Sequence, residues 1–278
     1  MRVARFPSPG AFLAAAERDL TAAEVENNLI LGSAHDLTRR IQPEGPRPYF
    51  SAVLDGDRVL MSAFRTQPGK VGVTRCFRPE ALRPLAEDAW NACPEATAVI
   101  GPADTADAFS EAFSTLTHRT ARRHSRQRIF EVSVLEPMGT TVPGEFRAAR
   151  PDEADLLTRW TDGFFAAINE PGDSRGLVLG RMTESSLFVW DRDGAVSMAA
   201  AAGRTRRTVR VAHVYTPPEH RGRGYATACV AALTRRLLDE GNARCCLYSD
   251  VANEASNAVY QRLGYEPICD VTRYTFDA

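Results

Sequence analysis

Two stretches near the C-terminus contain residue types that could do chemistry, and the first of them suits a negatively charged group such as a phosphate. The first reads HRGRGYAT, from His220 to Thr227, with Gly222 and Gly224 at its centre. Glycines let the backbone turn closely, and a helix that opens on them presents unpaired N–H groups to an anion. A tight turn decorated with exposed arginines has the same residues. The stretch alone therefore leaves both an anion site and a plain turn open.

The second stretch, SDVANEASNAVYQRLGY, spaces its polar residues along one face of a predicted helix. Asn253, Ser256 and Tyr260 are separated by three and then four residues, and such positions project from the same side. Next to the apolar stripe of Ala255, Val259 and Leu263, this row could be a surface face in which Asn253 caps the helix.

The elements around these stretches alternate between strand and helix. The strand VRVAHVYT ends at Pro217 and Pro218, which have no N–H for a sheet ladder, so the strand must stop or splay there. An apolar stripe from Ala226 to Leu238 predicts the next helix, and Gly241 suits its C-terminal cap. The run ARCCLYSDV reads as a further strand, whose adjacent cysteines should point to opposite faces.

Taken together, the two stretches resemble the motifs of the GNAT superfamily of acyl-CoA-dependent N-acetyltransferases. Arg221, Gly224 and Ala226 fill the diphosphate loop of that family, Q/R-x-x-G-x-G/A. Asn253 and Tyr260, followed by a Gly-aromatic pair, match its second motif. The resemblance covers roughly the second half of the chain. It implies a GNAT-like mixed α/β fold with acetyl-CoA, or coenzyme A, as cosubstrate.

The resemblance also implies which groups hold acetyl-CoA. Backbone groups at the end of the strand would hold the pantetheine arm and the acetyl carbonyl, and N–H groups of the glycine loop would hold the diphosphate. The Asn253 side chain would contact the pantetheine amides, and Tyr260 would lie near the sulfur as general acid. The implied cofactor-binding residues are Val214, Tyr215, Thr216, Arg221, Gly222, Arg223, Gly224, Tyr225, Ala226, Thr227, Asn253, Ser256 and Tyr260.

The reaction also needs a base, because an acceptor amine is mostly protonated at neutral pH and must lose a proton before it attacks. Some family members have a glutamate five residues before the motif asparagine, where this chain has Tyr248. His213, Asp250 and Glu219 are the nearby candidates, and each also suits a structural or surface role. His213 is of most interest because it should share a strand face with Tyr215, near the expected acetyl carbonyl.

Length and turn signals predict two domains. The chain has 278 residues, more than the ~100–200 of a typical domain. The Pro- and Gly-rich segment VLEPMGTTVPGEF places a boundary between residues 1–139 and 140–278. Both parts have the order hairpin, helix, strand, helix, strand, with turns at Asp55-Gly56 and Asp193-Gly194. We expect a tandem α/β (α+β mixed sheet) fold whose N-terminal copy is degenerate, because that copy has no glycine-rich loop.

The composition argues against several classes of function. A net charge of −1 gives no overall attraction to nucleic acid or an anionic membrane, and no apolar run reaches the ~20 residues of a membrane span. The six cysteines form no CxxC pair and have no histidine at metal-ligand spacing, so we expect buried thiols in a cytoplasmic protein and no metal. The basic runs 118–128 and 203–210 are expected to be solvated loops or strand edges, although either could guide an acidic acceptor or a nucleic acid.

Three functions fit these observations. The first is acetyl transfer from acetyl-CoA to a primary amine of a small-molecule or peptide acceptor, by direct attack in a ternary complex. The second is an acyl-CoA-binding sensor without turnover, which the missing carboxylate base favours. The third is a nucleic-acid-associated protein that uses the two basic runs, which the net charge disfavours. A monomer or a homodimer is expected, with no membrane partner.

Overall fold

The structure is a computed structural model that describes residues 1–39, 47–67 and 69–277. Both halves of the chain have the same order of elements. The N-terminal half contains β1 (Arg2–Arg5), α1 (Pro9–Leu20), α2 (Asn28–Arg39), β2 (Tyr49–Asp55), β3 (Arg58–Arg65), β4 (Lys70–Val73), α3 (Leu82–Ala92), β5 (Ala98–Pro102), α4 (Ala103–Thr117) and β6 (Thr120–Val132). The C-terminal half contains β7 (Glu145–Ala148), α5 (Ala154–Ala167), α6 (Ser174–Thr183), β8 (Leu187–Asp191), β9 (Ala195–Ala202), β10 (Thr208–Tyr215), α7 (Tyr225–Asp239), β11 (Arg244–Asp250), α8 (Glu254–Arg262) and β12 (Glu266–Asp277).

The strands of the described residues form one twelve-stranded sheet in the order β1-β2-β3-β4-β5-β12-β6-β11-β10-β9-β8-β7. This order is symmetric about the β12–β6 pair, so that β4 and β5 correspond to β10 and β11. The last strand of each half has crossed over: β12 pairs with β5, and β6 pairs with β11. The tandem mixed α/β fold is therefore confirmed, and each half completes the sheet of the other.

The predicted boundary between the halves falls between β6 and β7, in the segment after Val132 and before Glu145. This segment stays attached to the C-terminal half, because the Glu136 N–H donates to the carbonyl of Leu263 (3.1 Å) and Leu135 is buried. The two hairpins turn where the Asp-Gly pairs predict, between β2 and β3 and between β8 and β9.

Most of the first basic run lies in the first part of β6. β6 pairs with β12 from Thr120 onward, whereas β11 pairs only with residues 127–132. Among the described residues, 120–126 therefore form a strand edge on the β11 side, as expected, and residues 127–128 lie between two strands. The strand tolerates this charge because Arg126 and Arg128 both pair with Asp270 of β12, each at 2.7 Å. The arginines are thus partly neutralised within the protein, which argues against a nucleic-acid surface here.

Helices cover the two faces of the sheet in the same way in both halves. In the C-terminal half, α7 and α8 pack on one face and α5 and α6 on the other. Cys245 contacts the α7 side and Cys246 the opposite side, as strand alternation predicts. All six cysteines are free thiols, and four of them are buried.

Residues in α2, and in the segment between α5 and α6, contact the opposite half of the chain. Gly32 of α2 lies against Gly203, in the β9–β10 turn, so closely that a Cβ on Gly32 would be 2.5 Å from the Gly203 Cα. The Asn28 side chain donates to the Gly203 carbonyl (2.8 Å). Reciprocally, Glu170 after α5 accepts from Lys70 of β4 (2.7 Å). The N-terminal half therefore forms part of the surface beside β10.

Candidate active site

A gap opens between the parallel strands β10 and β11. Their ladder joins only residues 208–210 to residues 244–246, whereas β10 continues to Tyr215 alongside β9. In the described part of the chain, the end of β10 therefore has no ladder partner on its β11 side. Pro217 and Pro218 follow, as the sequence predicts. Unpaired peptide groups along a gap are suited to hydrogen bonding with a peptide-like ligand.

A β-bulge changes the direction of the end of β10. His213 and Val214 together oppose a single residue of β9, and His213 has a φ of 51°, which is uncommon for a residue with a Cβ. The bulge breaks the simple alternation that the sequence predicts. Both aromatic side chains nevertheless face α5: the His213 ring centroid is 5.5 Å from that of Phe164, and Tyr215 lies against Gly163.

Two glycines turn the chain from β10 into α7. Gly222 and Gly224 have φ values of 75° and 79°, and Gly224 is the N-cap of the helix. The first N–H groups of α7 have no partner within the helix, and the helix dipole adds positive potential at the same point. A Cβ on Gly222 would meet nothing within 4 Å, so the loop is open on that side. This geometry fits a diphosphate held by backbone N–H groups better than a plain turn.

Arg221, by contrast, is engaged with the end of the strand. Its Nε donates to the carbonyl of Thr216 (2.9 Å), and its guanidinium lies 5.8 Å from the ring centroid of Tyr215. Ser197 of β9 holds the same segment, because its hydroxyl donates to the Tyr215 carbonyl (3.2 Å) and is 2.9 Å from the Thr216 hydroxyl. These contacts fix the strand end. Ser197 was not predicted, because nothing in its local sequence marks it.

Tyr225 opens α7 and is buried, followed by Ala226 and Thr227 in the first turn. Its hydroxyl accepts a hydrogen bond from Arg192 Nη1 (2.8 Å). This hydrogen bond lowers the pKa of Tyr225, and Arg223 lowers it further. Two arginine charges therefore lie near the start of the helix. Arg192 belongs to the β8–β9 turn, and sequence spacing gives no sign that it reaches the glycine loop.

The second motif forms α8 with the predicted face. Asn253 is the N-cap, and its Oδ1 accepts from the N–H of Ser256 (3.1 Å). Its Nδ2 makes no hydrogen bond within the described residues and is exposed. Asn257 ties the helix to the end of β11, since its Nδ2 donates to the carbonyls of Asp250 (3.1 Å) and Val251 (3.3 Å). Asn257 is a positioning residue that the sequence motif did not include.

Tyr260 lies on the same helix, half-buried against the core of the C-terminal half. Its ring centroid is 6.3 Å from that of Phe130 and 6.1 Å from that of Tyr265. Burial raises the pKa of Tyr260 to about 12, so the phenol keeps its proton at neutral pH. Its hydroxyl makes no hydrogen bond to any of the residues that the structure describes. A protonated phenol with a free donor matches the part that the family motif implies.

The candidate bases differ in their surroundings. Glu219 and Asp250 are exposed, and Asp250 Oδ1 accepts from the Ala252 N–H (2.8 Å), which stabilises the turn after β11. Burial raises the pKa of Tyr248, at the position of the family glutamate, above its ordinary value. Burial lowers the pKa of His213 to about 3, assisted by the charges of two arginines. His213 is therefore neutral and accepts a proton only in strong acid.

In residues 1–39, 47–67 and 69–277, no group of three or more His, Cys, Asp or Glu side chains is placed to hold a metal ion. None of the helices in these ranges combines the length and apolar character needed to span a membrane.

The gap, the glycine loop and the Asn–Tyr helix all lie within one sequence match. The profile of the Acetyltransferase (GNAT) family matches residues 146–265. Residues 146–265 therefore form a GNAT domain. Acetyltransferases of this family use acetyl-CoA as the acetyl donor, so the match supports acetyl transfer as the general chemistry of this domain. No curated protein matches the sequence.

Solved structures extend the fold to the whole chain. A Drosophila protein has a TM-score of 0.71 at 10% identity, with 98% of each chain covered. A GCN5-related N-acetyltransferase from Kribbella flavida has a TM-score of 0.60 at 15% identity, covering 92% of this chain and 96% of its own. A tandem GNAT protein from the clavulanic acid biosynthesis pathway has a TM-score of 0.55 at 12% identity, covering 99% of this chain and 98% of its own. At these identities the likeness concerns the fold, and it includes the tandem arrangement.

Proposed function

We propose that the C-terminal half transfers an acetyl group from acetyl-CoA to a primary amine of a small-molecule or peptide acceptor. The observation that carries this proposal is the gap between β10 and β11 beside the positive-φ loop of Gly222 and Gly224. The gap suits the pantetheine arm, and the start of α7 suits the diphosphate. Asn253 has a free amide donor at the edge of the same region.

We propose that the acetyl carbonyl lies at the bulge, because the backbone of Val214 and Tyr215 has no ladder partner on the β11 side in the described residues. A backbone N–H that points at the carbonyl oxygen there would stabilise negative charge as the amine attacks. The amine nitrogen forms a bond to the carbonyl carbon, the carbon–sulfur bond breaks, and the amine loses its proton to solvent. Coenzyme A leaves as the thiolate.

Tyr260 is proposed to donate a hydrogen bond to that leaving sulfur. With a pKa of about 12, against about 8.5 for an ordinary thiol, complete proton transfer to the sulfur is uphill by about 3.5 pKa units, or about 5 kcal/mol. A hydrogen bond from Tyr260 stabilises the thiolate without transferring the proton, so it avoids this free-energy cost. Solvent can then protonate the product thiolate once the site opens.

His213 is proposed to accept a hydrogen bond from the amine rather than to remove its proton. Its Nδ1 is buried and has no partner within the described residues, and its low pKa makes it a poor base. The same desolvation and nearby arginines disfavour an ammonium group beside it. The acceptor therefore reacts from its neutral form, and no carboxylate base is required at Tyr248.

The test is acetyl transfer to a panel of amines, followed as release of free coenzyme A. We expect Tyr260→Phe to lower kcat about 10- to 100-fold, since a hydrogen bond to a charged group contributes about 1.5–3 kcal/mol, and to leave acetyl-CoA affinity unchanged. Tyr274→Phe is the matched control, because that hydroxyl bonds Asp107 in the other half. Equal kcat values for the two variants would contradict the role of Tyr260.

An acyl-CoA-binding protein without turnover is the second candidate, favoured by the low basicity of His213. It predicts binding of acetyl-CoA with no release of free coenzyme A for any amine. Absence of acetyl-CoA binding would contradict both candidates.

A further inference from the structure

The side of β10 that faces α5 and α2 carries positive charge close to the proposed acetyl position. The two charged groups that act most strongly on His213 are Arg181 and Arg210, and both lower its pKa. Phe164 of α5 packs edge-on against the same imidazole. The acceptor must approach from this side, since α7, α8 and the glycine loop occupy the other face of the sheet.

Arg210 is half-buried, and its contacts are with neutral groups. Its Nη1 donates to the amide oxygen of Asn28 (3.1 Å), and its guanidinium lies 5.6 Å from the ring centroid of Tyr248. Within the described residues it forms no ion pair. A guanidinium has five N–H donors, so most of its hydrogen-bonding capacity remains for a ligand. In a low-dielectric setting, an uncompensated charge favours the binding of an anion.

The neighbouring carboxylates of the N-terminal half are committed elsewhere. Glu26 is held by Arg75, whose Nε and Nη2 donate to it at 3.0 and 2.9 Å. Glu24 accepts from the hydroxyl of Thr205 (2.6 Å) and the N–H of Arg207 (2.9 Å). Within the described residues, neither carboxylate forms an ion pair with Arg210. Arg147, which is half-buried like Arg210, is paired with Glu153 and Asp191, whereas Arg210 keeps donors for a ligand.

We propose that the acceptor amine carries an anionic group, a carboxylate or a phosphate, that Arg210 binds while the amine lies beside His213. This inference rests on the proposed acetyl transfer and names the substrate class of that site. Tyr248 and Asn28 position the guanidinium, so the N-terminal half contributes to acceptor recognition. Arg210 lies three residues before His213 on β10, which suits an anion close to the reacting nitrogen.

The experiment compares matched acceptors. Amino acids are tested against their amides, phosphorylated amino alcohols against the free amino alcohols, and diamines serve as cationic acceptors. We expect turnover with the anionic members at a KM about 10- to 100-fold below that of their neutral counterparts. The comparison of amino acids with amides tests for recognition of a carboxylate, and the comparison of phosphorylated with free amino alcohols tests for recognition of a phosphate. Best turnover with amides, free amino alcohols or diamines would overturn the proposal.

Arg210→Gln keeps a polar side chain and removes the charge. We expect it to raise KM for the best anionic acceptor about 10- to 100-fold, with a smaller change in kcat, and to leave the neutral counterpart unchanged. Arg206→Gln is the control, because Arg206 is exposed in the β9–β10 turn, just before β10 begins. Equal losses for anionic and neutral acceptors in Arg210→Gln would overturn the proposal. Unchanged acetyl-CoA affinity and unfolding temperature show that the variant is folded.

A chain that transfers acetyl to no amine would refute the proposed function instead. Calorimetric titration of the coenzyme A-loaded protein with the same matched pairs then tests the anion preference by binding alone. Tighter binding of the anionic member that is lost in Arg210→Gln supports the inference, and equal binding of both members overturns it.

Discussion

The two halves share one topology, but their parallel strand pairs differ. In the C-terminal half, β10 and β11 separate beyond the third ladder pair and leave a gap. In the N-terminal half, β4 and β5 also pair over three positions, but the space beyond is narrowed to a small cavity of about 20 Å³. Val73 at the end of β4 packs against Gly101 of β5, where a Cβ would be only 2.5 Å from the Val73 Cγ2. The Val73 side chain therefore takes up space between the two strands, and the cavity that remains is too small for a pantetheine arm.

The loops after these strands differ as well. The segment that follows β4 has no glycine before α3, and two of its first N–H groups are already used. The Thr74 N–H donates to the Ser62 carbonyl (3.0 Å), and the Cys76 N–H donates to the Thr105 hydroxyl (3.0 Å). In the C-terminal half, Gly222 and Gly224 leave N–H groups free at a helix start. In this fold, a ligand site depends on a bulged strand and a glycine loop, and the shared topology alone is not sufficient.

The largest expected effect comes from closing the glycine loop. Gly224→Glu adds a side chain at a positive φ, 3.1 Å from Val142, and places a negative charge beside the diphosphate. We expect the affinity for acetyl-CoA to fall at least ~100-fold, because several charge-assisted hydrogen bonds are lost together. Gly241→Glu is the control, since Gly241 also has a positive φ, at the other end of α7. Similar calorimetric affinities of the two variants for acetyl-CoA would show that the glycine loop does not bind the diphosphate.

A smaller effect tests the contact between the halves. Gly32→Ala places a methyl group 2.5 Å from the Gly203 backbone, and we expect it to lower the free energy of unfolding by about 2 kcal/mol. Gly180→Ala is the matched control in α6, where nothing lies within 4 Å of the added methyl. There, the better helix propensity of alanine should raise stability by up to ~1 kcal/mol. Urea unfolding measures both, and stabilisation by Gly32→Ala would contradict this packing.

The third prediction concerns His213 and pH. Its pKa is about 3 in the folded chain and about 6.5 when unfolded, so the unfolded state binds more protons between these values. His213 therefore makes stability fall as pH decreases through this window. Between pH 7 and pH 5, wild type should lose about 2 kcal/mol more unfolding free energy than His213→Gln. An equal loss of unfolding free energy in wild type and in His213→Gln would show that His213 is not desolvated.

Local signals made much of the fold predictable. The Asp-Gly turns, the proline-ended β10 and the helix after Gly224 each follow from neighbouring residues, and all are present. The glycine loop and Asn253 were found for the same reason, because their spacing within a short stretch carries the pattern. The cap formed by Asn253 was also an expected alternative, and its free Nδ2 allows a second role.

Long-range pairing set the limit of prediction. The charged run before Arg128 resembles a loop in sequence, yet from Thr120 it pairs with β12, whose Asp270 forms ion pairs with Arg126 and Arg128. The exchange of β6 and β12 between halves has no local signature, since the hydrophobic pattern of a strand does not specify its neighbour. For the same reason, the approach of Asn28 to Arg210, 182 residues apart, was not predicted.

The number of acetyl-CoA molecules bound per chain tests the central claim most directly. Calorimetric titration of the wild-type protein should give one site, and that site should disappear in Gly224→Glu, because within residues 1–39, 47–67 and 69–277 the open gap and the free glycine loop occur together in the C-terminal half alone. Two sites, or one site that survives Gly224→Glu, would contradict the account.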